Sequence, residues 1–224
     1  MKTKSKALLL ALCAVLLIAA SVLGTMAYLT SQDQVINTFT VGKVAINLDE
    51  QDVTKTDGSR TEEGNAYHLL PGQTYVKDPT VTVLEGSEES YVRMIVQVSN
   101  YSDLKAAFPA AKYPTWYNGE DFLLQYLVAD WDAGKWVSTN LVTVAENVAT
   151  YEFRYYQTVK GPVENNDDKI DGTKLEALFT HIVIPGTVDN KELPKLQNVT
   201  ITVQAHAMQK AGFNTADAAW AAFG

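Results

Sequence analysis

Residues 91–99 read Tyr91-Val92-Arg93-Met94-Ile95-Val96-Gln97-Val98-Ser99. Val92, Met94, Val96 and Val98 fall on one side of an extended chain, with Arg93, Gln97 and Ser99 opposite. Successive side chains of a strand point to opposite faces, so this spacing puts an apolar stripe on a core and a polar one toward water. Residues 199–208 repeat the pattern, with Val199, Ile201, Val203, Ala205 and Ala207 inward and Thr200, Thr202, Gln204 and His206 outward. Residues 151–159 do so with Tyr151, Phe153, Tyr155 and Val159. One-sided alternation is the mark of antiparallel sheets with one buried face. The expected fold is therefore mainly β, an antiparallel β-sandwich with a few short helices.

Residues 37–48 behave differently. Phe39 and Val41 keep one phase; Val44, Ile46 and Leu48 keep the other. A one-residue slip moves every apolar side chain to the wrong face, so the pattern predicts a β-bulge at Gly42 and Lys43. The alternative is a strand whose two halves pack on different surfaces. Leu70-Pro71-Gly72-Gln73 predicts a type II turn, and Asn118-Gly119, Asp132-Ala133-Gly134-Lys135 and Asp171-Gly172 predict others. Trp131 and Trp136 flank the third of these and are placed on one hairpin. Residues 49–64 and 161–172 read as polar loops. Short helices are predicted from Ser102 or Asp103 to Phe108, stopped by Pro109, and more weakly over 120–126 and 174–179. The clearest lies at the end: Asn214 or Thr215 as cap, then 216–223, with Asp217 in the first turn where the helix dipole favours an anion.

The 224-residue chain carries 18 basic and 26 acidic side chains. Lys2, Lys4 and Lys6 precede an apolar run over 7–20 and the small residues of Ser21-Val22-Leu23-Gly24-Thr25-Met26-Ala27. This order reads as a secretion signal cleaved between Ala27 and Tyr28, with an uncleaved anchor helix as the alternative. Removing it takes the formal charge from −8 to −11. That balance excludes a protein that binds nucleic acid by neutralising phosphates, and it opposes attraction to anionic lipid. The one cysteine, Cys13, lies inside the signal, so residues 28–224 hold neither disulfide nor thiol nucleophile. They form one domain in this reading, 1–27 being the signal.

The residues offer no catalytic constellation. His68, His181 and His206 lack any His-Glu-x-x-His spacing, and phosphate loops and nucleophile elbows are missing. Asn165-Asn166-Asp167-Asp168-Lys169-Ile170-Asp171-Gly172 fails as a calcium loop, because Lys169 stands where a ligand oxygen is needed and Leu178 where a Glu is needed. Glu62-Glu63, Glu88-Glu89 and Asp167-Asp168 read as solvated surface. No catalytic residue, metal site or cofactor is expected.

Gly24-Thr25-Met26-Ala27-Tyr28-Leu29-Thr30, followed by Asn37-Thr38-Phe39-Thr40-Val41-Gly42-Lys43-Val44, resembles the SipW-dependent signal and first strand of the TasA/camelysin family of Gram-positive bacteria. Leu70-Pro71-Gly72-Gln73 and Tyr91-Val92-Arg93 resemble the family's Pro-Gly turn and the strand after it. Ala205-His206-Ala207-Met208-Gln209 and Gly212-Phe213-Asn214-Thr215-Ala216-Asp217-Ala218-Ala219-Trp220 are similar to clostridial tails. Residues 100–195 carry no such likeness. The resemblance implies a secreted jelly-roll sandwich that assembles head to tail into fibres of a biofilm matrix, the N-terminal segment of one subunit adding as a strand to the next. On this chain the donor would be 28–41, with Val35, Asn37, Phe39 and Val41 filling pockets and Gly42 marking its end. Its partners would be copies of itself and, during export, a signal peptidase; the membrane would be met only through the uncleaved signal. The alternative is that residues 28–48 form the first strand of their own sandwich. Two other readings of function stay open: a camelysin-like surface metalloprotease, and a monomeric adhesin or carbohydrate-binding module.

Overall fold

The computed structural model describes residues 6, 12–16, 42–107, 128, 130–163 and 172–223. The chain divides into two compact units, Met1–Val41 and Gly42–Gly224. In the first, residues 12–16 are helical and Cys13 is exposed. No helix among the described residues is long and apolar enough to cross a membrane.

The second unit is mainly β, and its sheets are antiparallel. Its strands are β1 (Ile46–Gln51), β2 (Arg60–Thr61), β3 (Thr74–Val76), β4 (Thr80–Leu84), β5 (Ser90–Val98), β6 (Trp136–Ala145), β7 (Val148–Tyr155), β8 (Gly172–Lys174), β9 (His181–Val183) and β10 (Ile201–Gln209). Helix α1 (Tyr101–Ala107) follows β5, and α2 (Ala216–Phe223) follows β10. One sheet has the order β2-β1-β4-β8, the second β10-β5-β7-β6, and β3 pairs with β9.

The alternation in residues 91–99 sets the core. Val92, Met94, Val96 and Val98 are at most 1% exposed. Ala207, Ala205, Val203 and Ile201 lie opposite them on β10, and Phe153, Tyr151 and Ala149 lie opposite Met94, Val96 and Val98 on β7. Val81 and Val83 of β4, fully buried, sit opposite Leu48 and Ile46 of β1 and join the same cluster. Each such side chain contributes about 1.5–3 kcal/mol by leaving water. Trp136 closes the β6 end, donating its indole N–H to the carbonyl of Glu176 at 2.9 Å and meeting Tyr155 edge to face.

The Pro71 turn forms as predicted. Gly72 has φ +74°, and the Gln73 N–H reaches the Leu70 carbonyl at 3.3 Å. The Asp132 turn also forms, with Lys135 N–H on the Asp132 carbonyl at 3.1 Å. The C-terminal helix is capped by Thr215, whose hydroxyl accepts the Ala218 N–H at 3.2 Å.

Several expectations are corrected. Among the described residues the first strand starts at Ile46, and no antiparallel ladder runs through Gly42 and Lys43 to carry a bulge. Lys43 makes a parallel bridge with Ser87 instead, and the Ser87 hydroxyl takes both the N–H and the C=O of Ala45. Residues 49–64 are not all loop: β1 runs to Gln51 and β2 returns beside it, because Arg60 can bind Asp49 and Asp78 together. Residues 174–179 form no helix. The Leu175 and Leu178 N–H groups go to the carbonyls of Val81 and Pro79, so the stretch stays extended with its leucines buried. Gly172 belongs to β8 rather than to a turn; a methyl there would meet the Val83 oxygen at 2.7 Å.

Trp131 lies outside any strand, and its indole caps the Trp136 carbonyl across the turn at 2.8 Å. The strand predicted at 151–159 runs from Val148 to Tyr155, with Val159 bridging to Ser90 apart from it. The 199–208 strand shifts to 201–209. Helix α1 starts at Tyr101, so Ser102 and Asp103 lie within its first turn. Its cap comes from elsewhere. Glu146 and Asn147 form a two-residue hairpin turn with φ +50° and +63°, and Asn147 accepts the Ser102 N–H at 2.7 Å with its side chain and the Tyr101 N–H at 3.0 Å with its backbone. Residues 108–127, 164–171 and 28–41 lie outside the described residues, and with them the remaining turn, helix and calcium-loop readings.

Asn147→Ala removes that distant cap and places a β-carbon residue poorly suited to left-handed backbone; the expected cost is about 2 kcal/mol, read as a lower urea midpoint. Asn147→Gly, which relieves only the backbone, should recover part of it.

Candidate functional site

The two ends of the body differ in chemistry. At one end the described chain enters at Gly42, where the Lys43 carbonyl accepts the Glu88 N–H at 2.8 Å beside the turn joining β4 to β5. From there β1 runs toward the other end, where β4 begins at Thr80 and β5 finishes at Val98 opposite Ile201. The nine residues of β5 separate these ends by about 30 Å.

The far end carries two cavities. A polar one of about 500 Å3 lies between Leu48, Asp49 and Glu50 of β1, residues 61–66, and Ile201, Thr202 and Val203 of β10. A more apolar one of about 730 Å3 lies under residues 65–69, walled by Leu104, Ile182, Ile184, Leu193 and Val199. Asn65, Ala66, Lys77 and Ile201 line both, so the two lie side by side with a shared wall and form a paired groove, the channel.

β10 is the edge strand of its sheet, paired to β5 alone among the described residues. Its hydrogen-bonding phase follows from two contacts: Ser99 N–H to the Thr200 carbonyl at 3.0 Å and Lys210 N–H to the Glu89 carbonyl at 2.8 Å. Even-numbered residues of β10 therefore bond to β5, and the backbone groups of Ile201, Val203, Ala205 and Ala207 face outward. Such an edge is a template for another strand.

The channel floor is held by a buried ion pair. Lys77 Nζ lies 2.6 Å from Glu50 Oε2, and both side chains are under 10% exposed. Asn65 donates to the other Glu50 oxygen at 2.9 Å and to the Gln51 carbonyl at 2.8 Å. Tyr67 donates to the Val76 carbonyl at 2.7 Å; burial, then the Glu50 charge, pushes its pKa up to about 12. Tyr75 packs edge to face on Tyr67, donates to the His68 carbonyl and accepts the Leu70 N–H. Residues 65–70 are thus pinned to β3 as a fixed wall.

A second cluster lies on the outer face of the β10–β5–β7 sheet under α2. The Arg93 guanidinium stands 4.4 Å from the Trp220 ring centre and 5.0 Å from that of Phe223. Its Nε donates to His206 Nδ1 at 3.2 Å, and His206 stacks on Phe223. Arg154 ties Glu152 to Asp217 of the helix. Burial, then the Arg93 charge, pushes the His206 pKa below its usual value, with Glu152 opposing.

Of the residues singled out from sequence, Ala27, Tyr28, Val35, Asn37, Phe39 and Val41 lie outside the described residues. Gly42 is exposed at the entry end, and a β-carbon there would sit 3.1 Å from Glu88 Cγ. The histidines are held apart on different elements: His68 lines the channel, His206 meets Arg93, and His181 pairs with Asp130 and Thr180. No group of three metal-ligating side chains converges among the described residues. The channel itself was missed from sequence. Its one signal is Glu50, which continues the inward phase of Ile46 and Leu48 and so demands a buried cation. No family model, curated protein or solved structure matches the chain.

Lys77→Met strands a buried carboxylate and should cost about 3 kcal/mol in urea unfolding; Glu50→Leu combined with Lys77→Met should recover most of that loss. His206 is favoured neutral in the fold, so its contribution is complete above about pH 6.5 and is lost as pH falls below that value. The melting temperature should drop more between about pH 7.5 and about pH 5 in the parent chain than in His206→Gln, which cannot gain a proton there.

Proposed function

We propose that this chain is a secreted structural subunit that polymerises head to tail into extracellular matrix fibres by donating its N-terminal segment to a neighbour's sheet. The jelly-roll topology, export through a cleaved signal and the absence of catalysis belong to this same reading, which the resemblance to TasA/camelysin proteins suggests. The observation that carries it is polarity. The chain enters the body at the end marked by Ser87 and Glu88, whereas the outward backbone groups of Ile201 and Val203 border a channel at the opposite end.

A donor leaving one end and an acceptor at the other make a heterologous contact, which propagates rather than closes. Residues 28–41 include a single charged side chain, Asp33, and a β-prone run from Val35 to Val41. Before signal cleavage the donor would be tethered, which would confine assembly to the outside of the cell.

Negative-stain microscopy of the purified chain beginning at Tyr28 should show fibres, and the chain beginning at Gly42 should remain a folded monomer by light scattering and circular dichroism. Fibres from the shorter chain, or none from the longer, would refute the reading.

A further inference from the structure

We infer that the channel floor is a bond-forming site, where Lys77 Nζ condenses with the side-chain amide of Asn65 under acid–base control by Glu50, releasing ammonia and leaving an isopeptide cross-link within one chain. This chemistry needs only described residues of a single copy and is independent of polymerisation.

The three required groups meet on one carboxylate. Lys77 Nζ stands 2.6 Å from Glu50 Oε2, and Asn65 Nδ2 donates to Glu50 Oε1 at 2.9 Å. Other partners orient the Asn65 amide. Its Nδ2 also donates to the Gln51 carbonyl at 2.8 Å, and its Oδ1 accepts the Val53 N–H at 3.0 Å. Two acceptors on one side and a donor on the other allow only this placement of nitrogen and oxygen. The amide and the amine come from segments 15 and 27 positions beyond Glu50.

The groups are held in place beforehand. The Gln51 N–H donates to the Asp78 carboxylate at 2.6 Å, and the Lys77 N–H to the Thr180 carbonyl at 3.0 Å, so β1 and Lys77 are fixed beside each other. The Glu50 and Lys77 side chains are buried, and water competes little for either. Holding the reactants on a fixed frame is what lowers the barrier of a step that is slow between a free amine and a free amide.

The step balances without a co-reactant. The proton between Nζ and Oε2 passes to Glu50, leaving a neutral amine beside a neutral acid. The Nζ lone pair attacks Asn65 Cγ, and the carbonyl π pair moves onto Oδ1, which faces the Val53 N–H. In this tetrahedral state Nδ2 has lost its amide resonance and takes a proton from Glu50, while Glu50 takes one from Nζ. The Cγ–Nδ2 bond breaks and ammonia leaves. Glu50 keeps the last proton, so no lone charge stays buried. Nothing is oxidised or reduced. Asn65 and Lys77 line both cavities, which gives ammonia an exit.

The product closes a ring from Asn65 to Lys77 and makes the tie on the wall over 65–70 covalent. Residues 28–224 contain no cysteine, so no disulfide can serve there. A short ring stabilises by restricting the unfolded chain. Before linkage Glu50 and Lys77 are an ion pair whose loss the Glu50→Leu and Lys77→Met double variant repairs. After linkage that variant also lacks the ring and stays below the parent melting temperature.

The test is a peptide map of the purified parent chain. Trypsin cuts after Lys and Arg, and Lys77 is the only such residue between Arg60 and Arg93. An unlinked chain yields 61–77 and 78–93. A Lys carrying an amide is not cut, so the linked chain yields one fragment, 61–93, about 17 Da lighter than its sequence. Tandem mass spectrometry should release no backbone fragments between residues 65 and 77. Glu50→Gln, with unchanged circular dichroism, should form the fragment roughly a hundredfold or more slowly. Separate 61–77 and 78–93 peptides from the folded parent, still present after days at neutral pH, would overturn the proposal. So would linkage at the parent rate in folded Glu50→Gln. If Glu50→Gln fails to fold, Asn65→Ala decides: the lighter fragment must vanish, and its persistence would exclude Asn65 as the partner.

Discussion

The fold depends on burying one face of β5. Val92, Met94, Val96 and Val98 sit on an inner strand of a four-stranded sheet, and residues of β1, β4, β6, β7, β10 and α1 join or pack against the core they begin. β10 and β7 are placed on either side by side chains that must share that face, and β4 brings the other sheet onto it through Val81 and Val83. Charging this stripe would remove the reason for both sheets to meet, since apolar burial is the main favourable term in folding.

Once that core is set, the polar groups are arranged around its margins. On the outside of the β1 hairpin, Arg60 satisfies Asp49 and Asp78; burial opposes its charge, yet the two carboxylates hold its pKa above the ordinary value. At the far end Glu50 and Lys77 face each other in the interior, a pair that gives position rather than stability, because desolvation offsets most of its attraction. Through Asn65, which donates to Glu50 and to the Gln51 carbonyl, the pair ties the wall over 65–70 to β1. Across the outer sheet face, α2 is held by stacking on Arg93 and by Asp217, so the C-terminal helix shields one stretch of β10 while the Ile201 end stays accessible.

The described chain enters at Gly42, and at the opposite end β10 is paired to β5 alone among the described residues. A sheet edge with outward backbone groups is a hazard for a monomer and an asset for a polymer. Here the Ile201 end of that edge lies beside a cavity with mostly apolar walls, into which Lys77 and Pro194 also reach.

Local periodicity was legible wherever a segment's environment is one-sided. The stripes of β5, β7 and β10, the Pro71 turn and the Thr215-capped helix could all be read from the sequence, because side-chain alternation, φ preference and capping act over a few residues. The sequence also determined the charge balance and the lack of a thiol beyond Cys13. Tertiary structure alone decided what distant residues share. Asn147 capping a helix 45 positions away, residues 174–179 staying extended because the carbonyls of Val81 and Pro79 accept their N–H groups, and Glu50 meeting Lys77 at the floor of a channel are contacts between segments with no sequence spacing to betray them. Local propensities can be added up along a chain, but a long-range hydrogen bond or cavity exists only after the core has brought its parts together.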